Sequence, residues 1–260
     1  MKTNSCKKNK NQLFQQGYTL IELMIASALG IFIMAGTIIF YASNKNSMNL
    51  QNGISEVQKN GRFLIDRLST KIQNAGYSGF YAALSSGLEN TLGSPTDSRW
   101  NLAFPVYGFD NVTTTQAGIS TIIANTDVLL LKSMTNIVGL VSTSSAGAMS
   151  VNGNSGFSVG DIVIATDQDR ASIFQAMLVD TTIVGQSDLT ISVGTAPLPG
   201  NTTTLGNIFG TGAQAGKLES LIYFLSTGSS GRAALFEGRL LRSGAAAPVF
   251  SAKELVSGVE

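Results

Sequence analysis

The chain has 260 residues, of which 43% are hydrophobic and 13% are charged, a composition typical of a folded protein. It contains no histidine and a single cysteine, Cys6, so Cys/His zinc sites and histidine-based catalytic triads are excluded. The formal net charge of +1 gives no sign of the basic face that nucleic-acid binding requires. We therefore expect no catalytic residue, no metal site, no cofactor and no direct nucleic-acid partner.

The amino-terminal 17 residues are basic. Lys2, Lys7, Lys8 and Lys10 all precede the first acidic residue, Glu22. Without this segment, 13 basic and 16 acidic side chains remain, which is a formal net charge of −3. Because lysines beside an apolar segment mark the cytoplasmic side of a membrane, we expect the amino terminus in the cytoplasm.

An apolar segment follows from Tyr18 to Ala42, and Glu22 is its only charged residue. A helix rises about 1.5 Å per residue and needs roughly 20 apolar residues to cross a bilayer. We therefore predict a single transmembrane helix over 18–42, with the bulk of the chain outside the inner membrane. Ala26-Ser27-Ala28 also fits a secretory signal cleavage site, but a cut there would leave an exposed apolar end. An uncut signal anchor is a further alternative.

The residues around Glu22 point to a specific signal. A carboxylate inside a spanning helix costs about 2.5 to 3.5 kcal/mol and usually marks function, although near a helix end it can also snorkel to the headgroups. The segment Gln16-Gly17-Tyr18-Thr19-Leu20-Ile21-Glu22 resembles the type III signal of prepilins. This resemblance implies that prepilin peptidase cleaves after Gly17 and methylates the new amino terminus at Tyr18. Tyrosine stands where phenylalanine is more common in the family.

The resemblance also gives Glu22 a role. Cleavage would create a cationic amine on Tyr18, one helical turn before the Glu22 carboxylate. Buried opposite charges must be paired, within one subunit or between neighbours. In the prepilin family this glutamate is thought to meet the terminal amine of an adjacent subunit, so we expect Glu22 to act in assembly and processing.

An amphipathic helix is predicted over 43–76, in continuation of the apolar one. Apolar residues recur at spacings of three, four or seven, with charged residues between them, as expected for a helix with one apolar face. The apolar residues are Ile54, Val57, Leu64, Leu68 and Ile72. Gly76 fits a C-terminal glycine stop. We predict one N-terminal helix, 18–76, whose outer half packs on a separate domain.

Residues 77–260 are predicted to form a β-rich globular domain, which makes the fold α+β. Short apolar runs bounded by Gly and Asp indicate strands of an antiparallel sheet. The predicted strands are Asp127–Lys132, Asp161–Thr166, Ser172–Val179, Leu189–Val193, Leu221–Leu225 and Ala234–Glu237. Gly228-Ser229-Ser230-Gly231 is predicted to be a hairpin turn, and residues 139–160 and 194–216 are predicted to be loops.

Further segments resemble the PilW family of minor pilins. They are Val57–Phe63 and Asn74–Tyr77 on the helix, Gly160–Asp167 and Ile173–Gln175 in the sheet, and Glu254–Glu260 at the end. Members of that family usually continue past the last segment, so we expect either a short member or a truncated one.

The resemblance implies a minor pilin that prepilin peptidase matures and that helps to initiate type IV pilus assembly. Its expected partners are other minor pilins, major pilin subunits, the peptidase and the inner-membrane assembly platform. It would cross the inner membrane once, carry its C-terminal domain in the periplasm and enter the pilus after processing. Effects on twitching motility, adhesion or DNA uptake would follow.

Three alternatives remain. A type II secretion pseudopilin shares the leader, the helix with its glutamate and the outer domain. A membrane-anchored envelope enzyme would use Asp161, Asp167 or Glu237, and an adhesin would bind a ligand through its Ser/Thr-rich loops. Asp167 and Asp169, with Asp161 nearby, also suggest a calcium site, but a solvated turn between two strands explains them better.

Overall fold

The computed structural model describes residues 17–80, 88–113, 115–153, 156–196, 198–241 and 248–258. The predicted leader lies outside these ranges except for Gly17, as do the last two residues of the segment that resembles the PilW family. The chain separates into two compact units, Met1–Arg62 and Phe63–Glu260. The last turns of the N-terminal helix therefore belong to the unit that holds the strands.

Helix α1 runs from Leu20 to Gln73. Among the described residues it is the one helix long and apolar enough to span a membrane, with a mean hydropathy of 2.4 over its most apolar window. Hydroxyl groups in this part bond back to the helix itself. The Ser27 hydroxyl donates to the Met24 carbonyl, and the Thr37 hydroxyl donates to the Ile33 and Met34 carbonyls. Such bonds satisfy polar groups without water, as a bilayer requires.

The end of α1 confirms the predicted glycine stop. Gly76 has a φ of +83°, in the left-handed region that ends many helices. Its N–H donates to the Lys132 carbonyl at 2.8 Å, so the chain turns from the helix directly onto a strand. A Cβ at this position would lie 3.1 Å from Cγ of Pro105, which leaves little room for any other residue.

In the described part of the second unit, eleven strands form two sheets. The strands are β1 (Leu88–Asn90), β2 (Val106–Val112), β3 (Thr126–Gly139), β4 (Ala148–Asn152), β5 (Ile162–Thr166), β6 (Ala171–Gln175), β7 (Leu178–Asp180), β8 (Gln186–Thr190), β9 (Gln214–Thr227), β10 (Ala233–Leu240) and β11 (Phe250–Ser257). The larger sheet has the order β1-β6-β5-β9-β10-β11, with β3 on the other side of β9 and β2 beyond β3. The smaller sheet has the order β4-β8-β7.

Strand β9 organises the larger sheet. It pairs with β3 along one side, and with β5 and then β10 along the other. All pairs are antiparallel except β1 with β6, which is parallel. The α+β class is therefore confirmed, and the purely antiparallel sheet that the sequence suggested is corrected at this one pair.

The predicted strands are confirmed in part. Strands β3, β5, β9 and β10 contain or nearly match four predicted segments, and the hairpin turn 228–231 joins β9 to β10. Ser172–Val179 was wrong as a single strand, because the chain leaves one sheet at Ala176 and enters the other at Leu178. The predicted loop 139–160 contains β4. Strands β1, β2 and β11 were not predicted, since they lie at sheet edges and carry few buried apolar residues.

Alternate side chains of β9 face different cores. Ile222 and Phe224 pack in one apolar cluster, whereas Leu221 and Tyr223 pack in another. Leu68 of α1 packs against the second cluster, so the last turns of the helix lie on this face of the sheet. Of the predicted apolar stripe, Ile54, Val57 and Ile72 are solvent-exposed, although Ile72 lies in the last turn of α1.

Candidate functional site

The predicted cleavage site lies in non-helical chain just before α1. Residues 17–19 are not helical, and the helix begins at Leu20. Gly17 is exposed, and Tyr18 is 86% exposed. Exposed, non-helical backbone is the form of chain that proteases cleave most readily. The Gly17–Tyr18 bond is therefore open to a processing enzyme.

Gly17 is not required by the fold of the described chain. A Cβ added at this position meets no other atom within 4 Å. Its φ does not lie in the left-handed region where glycine is favoured. A requirement for glycine here would therefore come from an enzyme that binds this backbone closely.

Thr19 and Glu22 together form the start of α1. Thr19 is the N-cap: the Glu22 N–H lies 3.1 Å from its carbonyl oxygen and 3.4 Å from its hydroxyl oxygen. The spacing Thr-x-x-Glu is that of a capping box, a frequent helix-start signal. A carboxylate in the first turn is also stabilised by the positive end of the helix dipole. This local role is not part of the processing signal predicted from the sequence, although the Thr-x-x-Glu spacing alone reveals it.

The three predicted site residues therefore all lie within six residues of chain, at or just before the start of α1. Glu22 is exposed, and within the described ranges no cation forms an ion pair with it. Cleavage after Gly17 would place an ammonium group on Tyr18, immediately before the cap. The Glu22 carboxylate is then accessible to this amine or to that of a neighbouring molecule.

A second cluster of charges, not predicted from the sequence, holds the end of α1 on the sheet. Arg67 donates two hydrogen bonds to Glu237, at 2.6 and 2.8 Å, and the Tyr223 hydroxyl donates a third at 2.7 Å. Burial alone would raise the pKa of Glu237, but the bonds from Arg67 and Tyr223 outweigh it and hold that pKa below its usual value. The pKa of Tyr223 is raised by burial and by Glu237. This cluster joins the end of α1 to strands β9 and β10.

The carboxylates of the enzyme alternative each have their own basic partner. Asp161 pairs with Lys217 at 2.6 Å, Asp167 pairs with Arg170 at 3.2 Å, and Glu237 pairs with Arg67. Asp161 and Asp167 flank the five-residue strand β5 and are six residues apart, which separates their Cα atoms by about 20 Å.

The calcium suggestion is not supported within the described ranges, where no three Asp, Glu, Cys or His side chains are grouped as a metal site requires. Instead, the Asp167 carboxylate accepts the N–H groups of Asp169 and Arg170. These bonds form the turn that joins β5 to β6.

A family model described as the prokaryotic N-terminal methylation motif matches residues 14–38. This range includes Gly17, Tyr18 and Glu22 and extends into the apolar part of α1. Searches of curated proteins and of solved structures gave no significant match. The motif, the exposed bond and the apolar helix agree: the chain carries the amino terminus of a type IV pilin-like prepilin, a class that includes pseudopilins and that prepilin peptidase processes.

Proposed function

We propose that this protein is a minor pilin of the PilW type, which helps to initiate assembly of a type IV pilus. The methylation motif carries the proposal, because it matches the chain where the exposed Gly17–Tyr18 bond precedes a capped, apolar helix. The PilW assignment rests on the sequence segments on the helix and in the sheet, since the motif itself is common to all pilin-like prepilins. The role is structural and not enzymatic.

Each part of the amino terminus has a step in this function. The apolar helix holds the precursor in the inner membrane, with the sheet domain in the periplasm. Prepilin peptidase cleaves after Gly17 and methylates Tyr18. Glu22 then pairs with the terminal amine of a neighbouring subunit, because a carboxylate that enters an apolar filament core must be neutralised. The neighbours are other minor pilins and the major pilin, assembled on an inner-membrane platform.

The first experiment is intact-mass and N-terminal analysis of the protein from membranes with and without prepilin peptidase. We expect a chain that begins at methylated Tyr18 only when the peptidase is present. Gly17→Val should block the cut without unfolding the chain, because the added side chain meets no neighbour. An uncut Met1 terminus in the presence of the peptidase, or a start at Leu29, would overturn the proposal.

The role of Glu22 is tested separately from cleavage. We expect Glu22→Gln to leave the precursor stable and membrane-bound but to exclude it from filaments. Glu56→Gln is the matched control, because Glu56 is another exposed glutamate of α1. Immunoblots of sheared filaments and of membranes measure the two pools. If the Glu22→Gln variant enters filaments to the same extent as the Glu56→Gln variant, the proposed assembly role of Glu22 is wrong.

A pseudopilin of a type II secretion system is the second candidate, because the methylation motif fits both classes equally. A deletion strain distinguishes them. Loss of pili with normal protein secretion supports the minor pilin, and loss of secretion with normal pili supports the pseudopilin.

A further inference from the structure

A groove of about 530 Å³ lies on the larger sheet, on the face that carries Leu221 and Tyr223. Strands β2, β3, β9 and β10 line it. Its apolar lining includes Leu129, Leu225 and Leu235, which the strand register places side by side with Tyr223. An apolar groove of this kind is suited to aliphatic side chains of a partner.

The rim of the groove is acidic. Asp110 of β2 and Asp127 of β3 both line it, at the point where the register between these neighbouring strands shifts. The Asp127 carboxylate accepts the N–H of Asn111, and no basic side chain of the described ranges forms an ion pair with either aspartate. Like charges across a strand pair repel each other, so a cation placed between them would be stabilising. The groove therefore favours an apolar group beside a basic one.

A surface with these properties lies at the other end of β10. Leu241 follows the strand and donates its N–H to the Val249 carbonyl at 2.9 Å, and the two side chains are 46% and 54% exposed. Arg239 lies two residues before Leu241, on the same face of the strand. It shares the Glu219 carboxylate with Lys71, at 2.8 and 3.0 Å. Two cations on one carboxylate leave a net positive charge beside the apolar pair.

We propose that the groove of one molecule binds the Leu241/Val249 pair of a second copy of this chain, with Arg239 of that copy meeting Asp110 and Asp127. The two surfaces lie about 20 Å apart along β10, since six residues separate Leu235 from Leu241. A molecule bound through only one of these surfaces can bind a further copy through the other, so the contact is head-to-tail; it builds a filament where the rotation between copies does not close into a ring. This inference rests on the proposed pilin role and adds to it one interface between subunits.

Disulfide trapping in detergent tests this contact on the full chain. Cys6→Ser first removes the only native thiol. One preparation then carries Gly108→Cys, in the groove, where an added Cβ meets no atom within 4 Å. The other preparation carries Val249→Cys, and the two preparations are mixed and oxidised. In the control, Val184→Cys takes the place of Val249→Cys. Val184 is 98% exposed on the turn between β7 and β8, so its thiol is accessible but lies outside the proposed contact.

We expect at least about tenfold more cross-linking between Gly108→Cys and Val249→Cys than between Gly108→Cys and the Val184 control, because docking raises the effective concentration of the thiols. Equal cross-linking in the two mixtures would overturn the contact. So would Gly108→Cys molecules that cross-link to one another as readily as to Val249→Cys.

Charge reversal tests the ionic part of the same contact. Asp110→Lys in the groove preparation, or Arg239→Asp in the other, should each lower the cross-link yield at least about threefold, and the combination should restore it. Fluorescence of Trp100, the only tryptophan, confirms that each variant is folded. A yield that charge reversal leaves unchanged would overturn the role of Arg239. No peptidase or filament enters this assay, so a negative result beside normal processing of Tyr18 overturns the contact and leaves the proposed function standing.

Discussion

Lys132 on β3 is a buried cation, only 1% exposed to solvent. Its Nζ donates a hydrogen bond, at 2.8 Å, to the Ser98 carbonyl and lies 5.9 Å from the ring centroid of Tyr107. Burial lowers the pKa of Lys132 from 10.5 to about 8, against the weaker opposing effect of Asp97. The domain therefore accommodates an ammonium group in a position where its neutral form is favoured.

The lowered pKa of Lys132 makes the free energy of unfolding depend on pH. Between the folded pKa of Lys132 and its unfolded value of 10.5, the unfolded chain binds a proton that the folded chain has lost. The free energy of unfolding therefore rises as the pH rises through this window. From about pH 7 to about pH 9.5 the expected gain is about 2 kcal/mol. Above about pH 10 the trend reverses, because unfolded Tyr223 ionises whereas its pKa is raised in the folded chain.

Lys132→Met removes the titrating group but keeps an unbranched apolar chain of similar length. We expect its free energy of unfolding to stay nearly constant over the same pH range. Urea unfolding of the full chain in detergent, followed by the fluorescence of Trp100, measures this quantity for the sheet domain, because Trp100 is 2% exposed there. A wild-type protein whose stability is flat between the two pH values, or a variant that keeps the slope, would refute the reasoning.

Two further predictions use the same unfolding assay. Glu237→Gln leaves Arg67 opposite a neutral group, so we expect a loss of about 1 to 3 kcal/mol, and an unchanged stability would show that the ion pair contributes nothing. Gly216→Ala would place a Cβ 2.7 Å from the Thr135 carbonyl oxygen, so we expect a loss of about 1 to 3 kcal/mol. Gly139→Ala is its control, with no atom within 4 Å of the added Cβ and an expected change within about 1 kcal/mol. Equal effects of the two alanines would contradict the close approach.

The amino-terminal site was predictable because its determinants are local. The apolar length of 18–42, the glycine before an aromatic residue and the position of Glu22 are all read within one stretch of chain. The capping box could also have been recognised there, since Thr19 and Glu22 stand three residues apart. Strands such as β5 were predictable for a related reason, because a short run buried on both faces is continuously apolar.

The remaining features of the fold depended on pairing between residues that are distant in sequence. The sequence by itself determined an apolar helix with a processing signal, followed by a β-rich domain, because hydrophobic length and short-range spacing are properties of the chain. Only the tertiary structure decided that β9 is central, that 172–179 divides between two sheets, and that Glu237 meets Arg67 across 170 positions of sequence. Strand register brings such residues together, and register is set by the packing of whole sheet faces rather than by any local pattern.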